Sequence, residues 1–337
     1  MERPTNRPPS PARSRAGFGP AGTRLKALIA LLWRTDAPLT GAGLLLLGAL
    51  AVSLVGLWVD PRTIGGAPAW LKPVKFAVST AIFTLTLAWV FTYLPRWTRT
   101  RRIAGWMTAA TLLLEVAIID LQAWRGTTSH FNVGTPLDMA LWGTMGAAIV
   151  LQTLMSVVVA AALWRQRFAD LALGWALRLG LTITIVGAAF GGLMTGPTDA
   201  QLAQARTTRM TVVGAHTVGA PDGGPGLPGT GWSREHGDLR VPHFLGLHAL
   251  QFLPLLALAL GYRRSTEAAR VRLTLTAAAS YTALFALLLW QALRGQPLVQ
   301  PDALTIAAFG MWLAVTIAAA WIALPRHERV QPNALAF

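Results

Sequence analysis

The sequence predicts an all-α, polytopic membrane protein, with eight transmembrane helices arranged as two parallel four-helix repeats. Three observations carry this. Of 337 residues, 53% are hydrophobic and only 13% are charged, against about 25% charged in a soluble domain. Eight apolar segments each reach the roughly 20 residues needed to cross a hydrocarbon core about 30 Å thick. Short motifs also recur at nearly one offset in the two halves of the chain.

Residues 1–23 are rich in Pro, Arg and Ser, lack an apolar core, and read as a disordered cytoplasmic tail rather than a cleavable signal. In residues 24–36, the apolar stretch Leu25–Trp33 sits among Arg24, Lys26 and Arg34. It is too short to span and is expected to lie in the membrane interface. Spans one to four follow at about 38–59, 74–94, 104–124 and 139–164, within a first repeat over 37–170. Spans five to eight follow at about 172–194, 241–261, 271–293 and 303–323, within a second repeat over 171–325. A long loop, 195–240, precedes span six, and 326–337 form a second cytoplasmic tail.

Orientation comes from the basic residues. Of the 29 Lys and Arg, those on the N-terminal side of the alternation outnumber those opposite by 20 to 9, and the bias holds at every loop. Both termini are therefore expected in the cytoplasm of a bacterial cell, with the 195–240 loop outside the inner membrane. Trp residues near the span ends form the aromatic belt such a topology needs. The net charge of +15 follows this topology, so nucleic acid is not an expected partner. The lipid bilayer is.

The repeat rests on three pairs. Span three ends in Gln122-Ala-Trp-Arg125-Gly126 and span seven in Gln291-Ala-Leu-Arg294-Gly295. Span two opens with Leu71-Lys72-Pro-Val-Lys75-Phe76 and span six with Leu239-Arg240-Val-Pro-His243-Phe244. Pro136-Leu-Asp138 and Pro301-Asp302 precede spans four and eight. An even number of spans per repeat makes the halves parallel. At the same offsets Glu115 falls on Leu284 and His248 on Thr80, so the unusual polar groups belong to one half each.

Ionisable groups inside a membrane are costly and mark function or pairing. Glu115 in span three lies about 13 Å below the outer boundary and His248 in span six about 10 Å below it, at 1.5 Å per residue. Gln251 is one turn below His248. The expected site is an outward-facing pocket between the halves, covered by the 195–240 loop with its turn-forming run Pro221–Pro228. Glu115, Asp120 and Arg125 are its candidate catalytic groups; Asp120 and Arg125, five apart, have a structural ion pair as their alternative. His243, His248 and Gln251 are candidate cofactor ligands, and His248, His243, His130 and His216 candidate metal ligands. Five of the six His residues fall on this side, and cysteine is absent. Metal binding would therefore rest on imidazole and carboxylate, which suit zinc, iron or copper, and haem b would take an axial His, best placed at His248. Lys72 and Lys75 anchor a helix start or bind an anionic group. His-Glu-x-x-His, a Gly-Lys-Ser/Thr phosphate loop and Gly-x-Ser-x-Gly are all missing.

The stretches LKPVKF, QAWRGTTSHFN and HTVGAPDGGPGLPGTGWS with GDLRVPHFLGLHALQ resemble a family of bacterial polytopic membrane proteins. The resemblance covers most of the chain after residue 40 and implies the membrane fold without a mechanism. The eight-span, two-half architecture is also similar to that of haem A synthases, whose Glu-x-x-His-Arg motif is absent here.

The leading reading is a metal- or haem-binding membrane protein, with an enzymatic role in view, that takes a small hydrophobic or anionic substrate from the outer face. The rival reading is a proton-coupled transporter with Glu115, Asp120 and His248 as relay. Against it, the cytoplasm-facing halves of the spans are poor in polar groups, with Gln152 the exception. The third is a structural or assembly protein whose polar groups join helices. A reporter fused at Gly224 is expected to behave as extracytoplasmic; cytoplasmic behaviour would reverse the topology.

Overall fold

The computed structural model describes residues 21–262 and 265–324. Helix α1 (Ala21–Thr35) begins three residues earlier than the sequence suggests and packs on the next two helices. The expected 1–23 tail otherwise lies outside the described residues, as does all of 326–337. The long helices are α2 (Ala37–Val59), α3 (Leu71–Phe91), α4 (Thr98–Arg125), α5 (Pro136–Arg165), α6 (Leu171–Phe190), α10 (Glu267–Leu293) and α11 (Ala303–Ala323). These seven are long and apolar enough to cross a membrane. Between α6 and α10 lie short α7 (Asp199–Gln204) and the pair α8 (Arg240–Leu247) and α9 (Ala249–Gly261), bent by 45°. Taken as one bent span, α8 and α9 complete an eighth crossing.

Five of these helices start on a side-chain cap that satisfies an otherwise open N–H: Asp36, Thr135, Asp170, Thr266 and Asp302 for α2, α5, α6, α10 and α11. In the first half α3 packs on α2 and α4, α2 on α4, and α4 on α5. In the second half the bent pair packs on α6 and α10, α6 on α10, and α10 on α11. Helix α5 against α6 joins the halves, and α3 also touches α9.

The two Gln-x-x-Arg-Gly sequences build the same terminus. Gly126 and Gly295 take φ of 75° and 72°, a left-handed conformation natural to glycine at a helix end. The preceding buried glutamines fold over the turn, Gln122 Nε2 towards Thr128 O and Gln291 Nε2 to Pro297 O. The arginines reach the start of the next helix, Arg125 to Asp138 at 2.6 Å and Arg294 to Asp302 at 2.6 Å. Arg125 also donates to Gln122 Oε1. The expected alternative of an Asp120–Arg125 ion pair is thereby corrected. Five residues place those side chains about 140° apart on a helix, and Arg125 turns to Asp138 instead.

At His248 the span breaks, and the freed backbone groups find partners on neighbours, as they must inside a membrane. The Thr184 hydroxyl of α6 accepts from Leu250 N at 3.1 Å and donates to Leu247 O at 3.2 Å. Tyr281 of α10 donates to Leu245 O at 2.5 Å. Backbones meet closely here: a Cβ on Gly187 would lie 2.6 Å from Gly246 Cα, and one on Gly246 only 2.5 Å from Gly187 Cα. Gly246→Ala therefore overpacks the α6–α8 contact and is expected to cost about 1–3 kcal/mol. Gly310→Ala, with nothing within 4 Å, is expected to cost nothing. Melting temperatures of the two purified variants in one detergent check the contrast.

Candidate functional site

The connections 60–70, 126–135, 191–239 and 294–302 gather at one end of the bundle, the loop face. The hairpin β1 (Thr63–Ile64) with β2 (Ala67–Pro68) and the pair β3 (Thr217–Val218) with β4 (Gly237–Asp238) stiffen it. The Gly/Pro run of the long loop is tied to the helices by cations on carbonyls. Lys75 Nζ donates to Thr230 O at 2.6 Å, and Arg240, paired with Asp238, donates to Gly231 O at 2.8 Å.

The 126–135 loop folds inward at Phe131, the one non-glycine residue with positive φ (64°) among the described residues. Such a conformation costs on the order of 1–3 kcal/mol and persists where its surroundings impose it. Here backbone pairing imposes it: Val213 N donates to Phe131 O and Val133 N to Thr211 O, both at 2.9 Å. Phe131 is thereby buried against Trp142 and His216, with ring centroids 5.3 and 4.8 Å away. His130 is carried in beside it, against Phe76 and Trp142.

His130 meets Glu115 there, Nε2 to Oε1 at 3.6 Å, while its Nδ1 faces the Ser129 hydroxyl at 3.1 Å. Glu115 is 2% exposed, and its other oxygen, Oε2, has no hydrogen-bond partner. Lys72, in the first turn of α3, lies within electrostatic reach of Glu115, His130 and His216. Its ammonium makes no hydrogen bond or ion pair among the described residues and sits 5.7 Å from the Phe76 ring. Behind Phe131, His216 Nδ1 is 2.6 Å from Asp222 Oδ2, which leaves Nε2 unused by that bond.

Burial first, and the Lys72 charge second, hold the His130 imidazole well below the usual histidine range. Burial also lowers His216, against the raising effect of Asp222. Burial pushes the Asp222 carboxyl up, but the hydrogen bond and charge of His216 and the Thr217 amide outweigh it and hold the group below the carboxylate range.

The other expected residues are more dispersed. His243 Nδ1 is bonded to Gly187 O at 2.7 Å. His248 sits at the break against the Phe244 ring, 4.3 Å between centroids, with Gln251 one turn on; His248 Nε2 and Gln251 Oε1 are buried without hydrogen-bond partners. The neighbours found for Glu115 are His130 and Lys72, not His248. Asp120 Oδ1 is buried without a partner. Among the described residues no group of three or more His, Asp or Glu is placed to hold a metal ion, although His216 and His243 lie within electrostatic reach of His130. Two clefts, of about 360 Å³ beside Trp58, Asp60 and Arg62 and about 300 Å³ between Arg96, Trp97, Arg165 and Arg167, touch neither Glu115 nor His248. Sequence reasoning did not count Lys72 and Asp222 among the site residues; Lys72, flanking a proline at a helix start, reads in the sequence as a headgroup anchor or a binder of an anionic group.

Comparison with protein-family models, curated proteins and solved structures finds no match to this chain.

His130 gives a pH dependence of defined sign. An unfolded imidazole titrates near 6.5 and the folded ring well below. Between these values the unfolded chain binds more protons, so stability rises with pH. It is complete above 6.5 and is lost as pH falls through the folded value; His216 adds the same sign. Melting temperature against pH is expected to fall on acidification, and to fall less in His130→Asn. Equal slopes in the two proteins would show that His130 is not the group responsible.

Proposed function

We propose that the loop face holds a proton-exchanging site for a small anionic solute, centred on Glu115, His130 and Lys72, and that the chain is a proton-coupled membrane carrier. One observation carries this: two groups of opposite charge type, buried Glu115 and half-buried Lys72, lie within electrostatic reach of each other and neither is satisfied. Glu115 Oε2 has no donor, and the Lys72 ammonium has three donors and no acceptor. An anionic group entering beside Lys72 supplies the acceptor. It also brings a second negative charge towards Glu115, and like charges at such range in a poorly solvated pocket repel by several kcal/mol. Binding the anion therefore requires a proton on Glu115. His130, 3.6 Å away, is the group placed to pass it. Uptake of solute and proton becomes one event.

The metal reading has less support, because among the described residues no three His, Asp or Glu groups are placed to hold an ion. A general acid–base enzyme remains the second reading. The His216–Asp222 pair supports it, since a carboxylate on Nδ1 is the usual means of orienting a catalytic imidazole. On either reading the loop face looks outward from a bacterial inner membrane with both termini inside, as the Lys/Arg bias argues. The halves are duplicated four-helix units, a reading supported by their matching helix neighbours and matching Gln-x-x-Arg-Gly termini.

Infrared difference spectra recorded on acidifying the reconstituted protein test the site without knowledge of the solute. A protonated-carboxyl band is expected that disappears in Glu115→Gln and shifts in His130→Asn. A spectrum identical in wild type and Glu115→Gln would remove Glu115 from any proton exchange.

A further inference from the structure

Helix α4 carries more than Glu115 on the face that Glu115 occupies. At 100° per residue, Arg101, Gly105, Thr108, Thr111 and Glu115 fall within an arc of about 120°, over a rise of about 21 Å. That is most of the roughly 30 Å hydrocarbon thickness. Thr108, Thr111 and Glu115 are all buried. From α5, Gln152 and Ser156, one turn apart and also buried, face the same seam: Thr111 Oγ1 lies 3.5 Å from Gln152 Oε1, and Gln152 Nε2 3.3 Å from Ser156 Oγ. Towards the face opposite the loops, the missing side chain of Gly105 makes room for the Asp36 carboxylate, on which a Cβ would fall. Arg101 follows one turn further.

Polar groups that only joined helices would use their hydrogen bonds fully. Thr111 and Ser156 donate back to their own turns, to Met107 O at 2.8 Å and Gln152 O at 3.1 Å, but others in the seam keep spare capacity. Thr108 Oγ1, Glu115 Oε2 and Arg101 Nε are buried without partners, and the two bonds of Gln152 are long. Buried groups with spare capacity in a polar seam are the ordinary hosts of internal water. The second half keeps only part of this seam. At the offset that relates spans three and seven, Ala277 and Leu284 stand at the positions of Thr108 and Glu115. Setting Asp302 on Asp138 puts Thr316 at Gln152 and Ala320 at Ser156, and Ser280, at the position of Thr111, is closed by a 2.7 Å bond to Thr316.

We propose that Glu115 exchanges its proton with the face opposite the loops through the α4/α5 seam, by way of Ser156, Gln152, Thr111 and Thr108 and the waters they hold, with Asp36 at the far end. The solute and its proton enter from the loop face by way of His130, and the seam is the path by which the same carboxyl exchanges that proton with the other side. This deepens the function proposed above and rests on Glu115 as the proton-exchanging group. The step is a proton transfer alone, with no change of oxidation state.

The test uses dicyclohexylcarbodiimide, a membrane-permeant reagent that labels protonated carboxyls, on the full chain in proteoliposomes of determined orientation. The pH is set independently on the two sides, and labelling of Glu115 is read by peptide mass spectrometry with Glu115→Gln as blank. Labelling is expected to rise severalfold when the compartment opposite the loops is acidified. That response should be lost in Gln152→Leu and in Thr108→Val, two variants chosen so that failure of one to fold leaves the other. Labelling that follows only the loop-face pH overturns the seam and leaves the Glu115 site standing. An undiminished response in both variants overturns it as well. No labelling of Glu115 at any pH removes the site itself, and the seam with it.

Discussion

Hydrocarbon offers no water to a backbone N–H or C=O, and this constraint organises the molecule. Each departure from regular helix is met by a side chain sent from elsewhere. The break at His248 exists because Thr184 supplies both a donor and an acceptor and Tyr281 a further donor. The close passage of α6 and α8 exists because Gly187 and Gly246 let the Thr184 hydroxyl come near enough. Five helix starts carry their own caps. The loop face can hold irregular structure because it stands at the end of the bundle and pairs with itself.

Against that background, unsatisfied groups carry information. Arg125, Gln122 and Asp138 form a closed set at the head of α5, and Arg294 with Asp302 and Thr305 does the same at α11. These polar residues hold helices and need no ligand to explain them. Glu115 and Lys72 differ in kind. A buried carboxyl oxygen left without a donor beside an ammonium left without an acceptor forgoes interaction that a polar ligand could supply, which is the ground of the function proposed. The asymmetry between halves points the same way, because one half keeps the scaffold and the other keeps the scaffold and the charges.

The membrane helices were readable from the sequence because lipid enforces runs of apolar residues. The break in span six at His248 was not read from the sequence; it lies six residues before Pro254, the proline inside α9, whose ring clashes with the preceding turn. The helix ends at Gln122 and Gln291 were readable because glycine and arginine have specific duties there. Partner choice was not readable. Arg125 has Asp120 nearby in sequence and Asp138 nearby in space, and only the rotation of α4 against α5 decides between them. His130 sits fifteen residues from Glu115, past a helix end, and meets it only because Phe131 takes a left-handed turn that no side-chain preference signals. The hydroxyls of Thr108, Thr111 and Ser156 were hidden for a different reason. Thr and Ser in a helix ordinarily bond back to their own turn, so they pass for apolar until one is seen, like Thr108, not to do so.

The tether of the long loop has a consequence for its response to solution conditions. Lys75 and Arg240 hold the Thr230–Gly231 turn through neutral carbonyl oxygens, and the rest of the loop is held by amide pairing at 131–133 with 211–213 and by Gln201 on Gly214. None of these joins the loop to the helices by attraction between exposed opposite charges, the kind that dissolved ions screen within about 10 Å at 0.1 M. The ion pair at the join, Arg240 with Asp238, has its carboxylate buried, so dissolved ions are expected to loosen the cover over the site little.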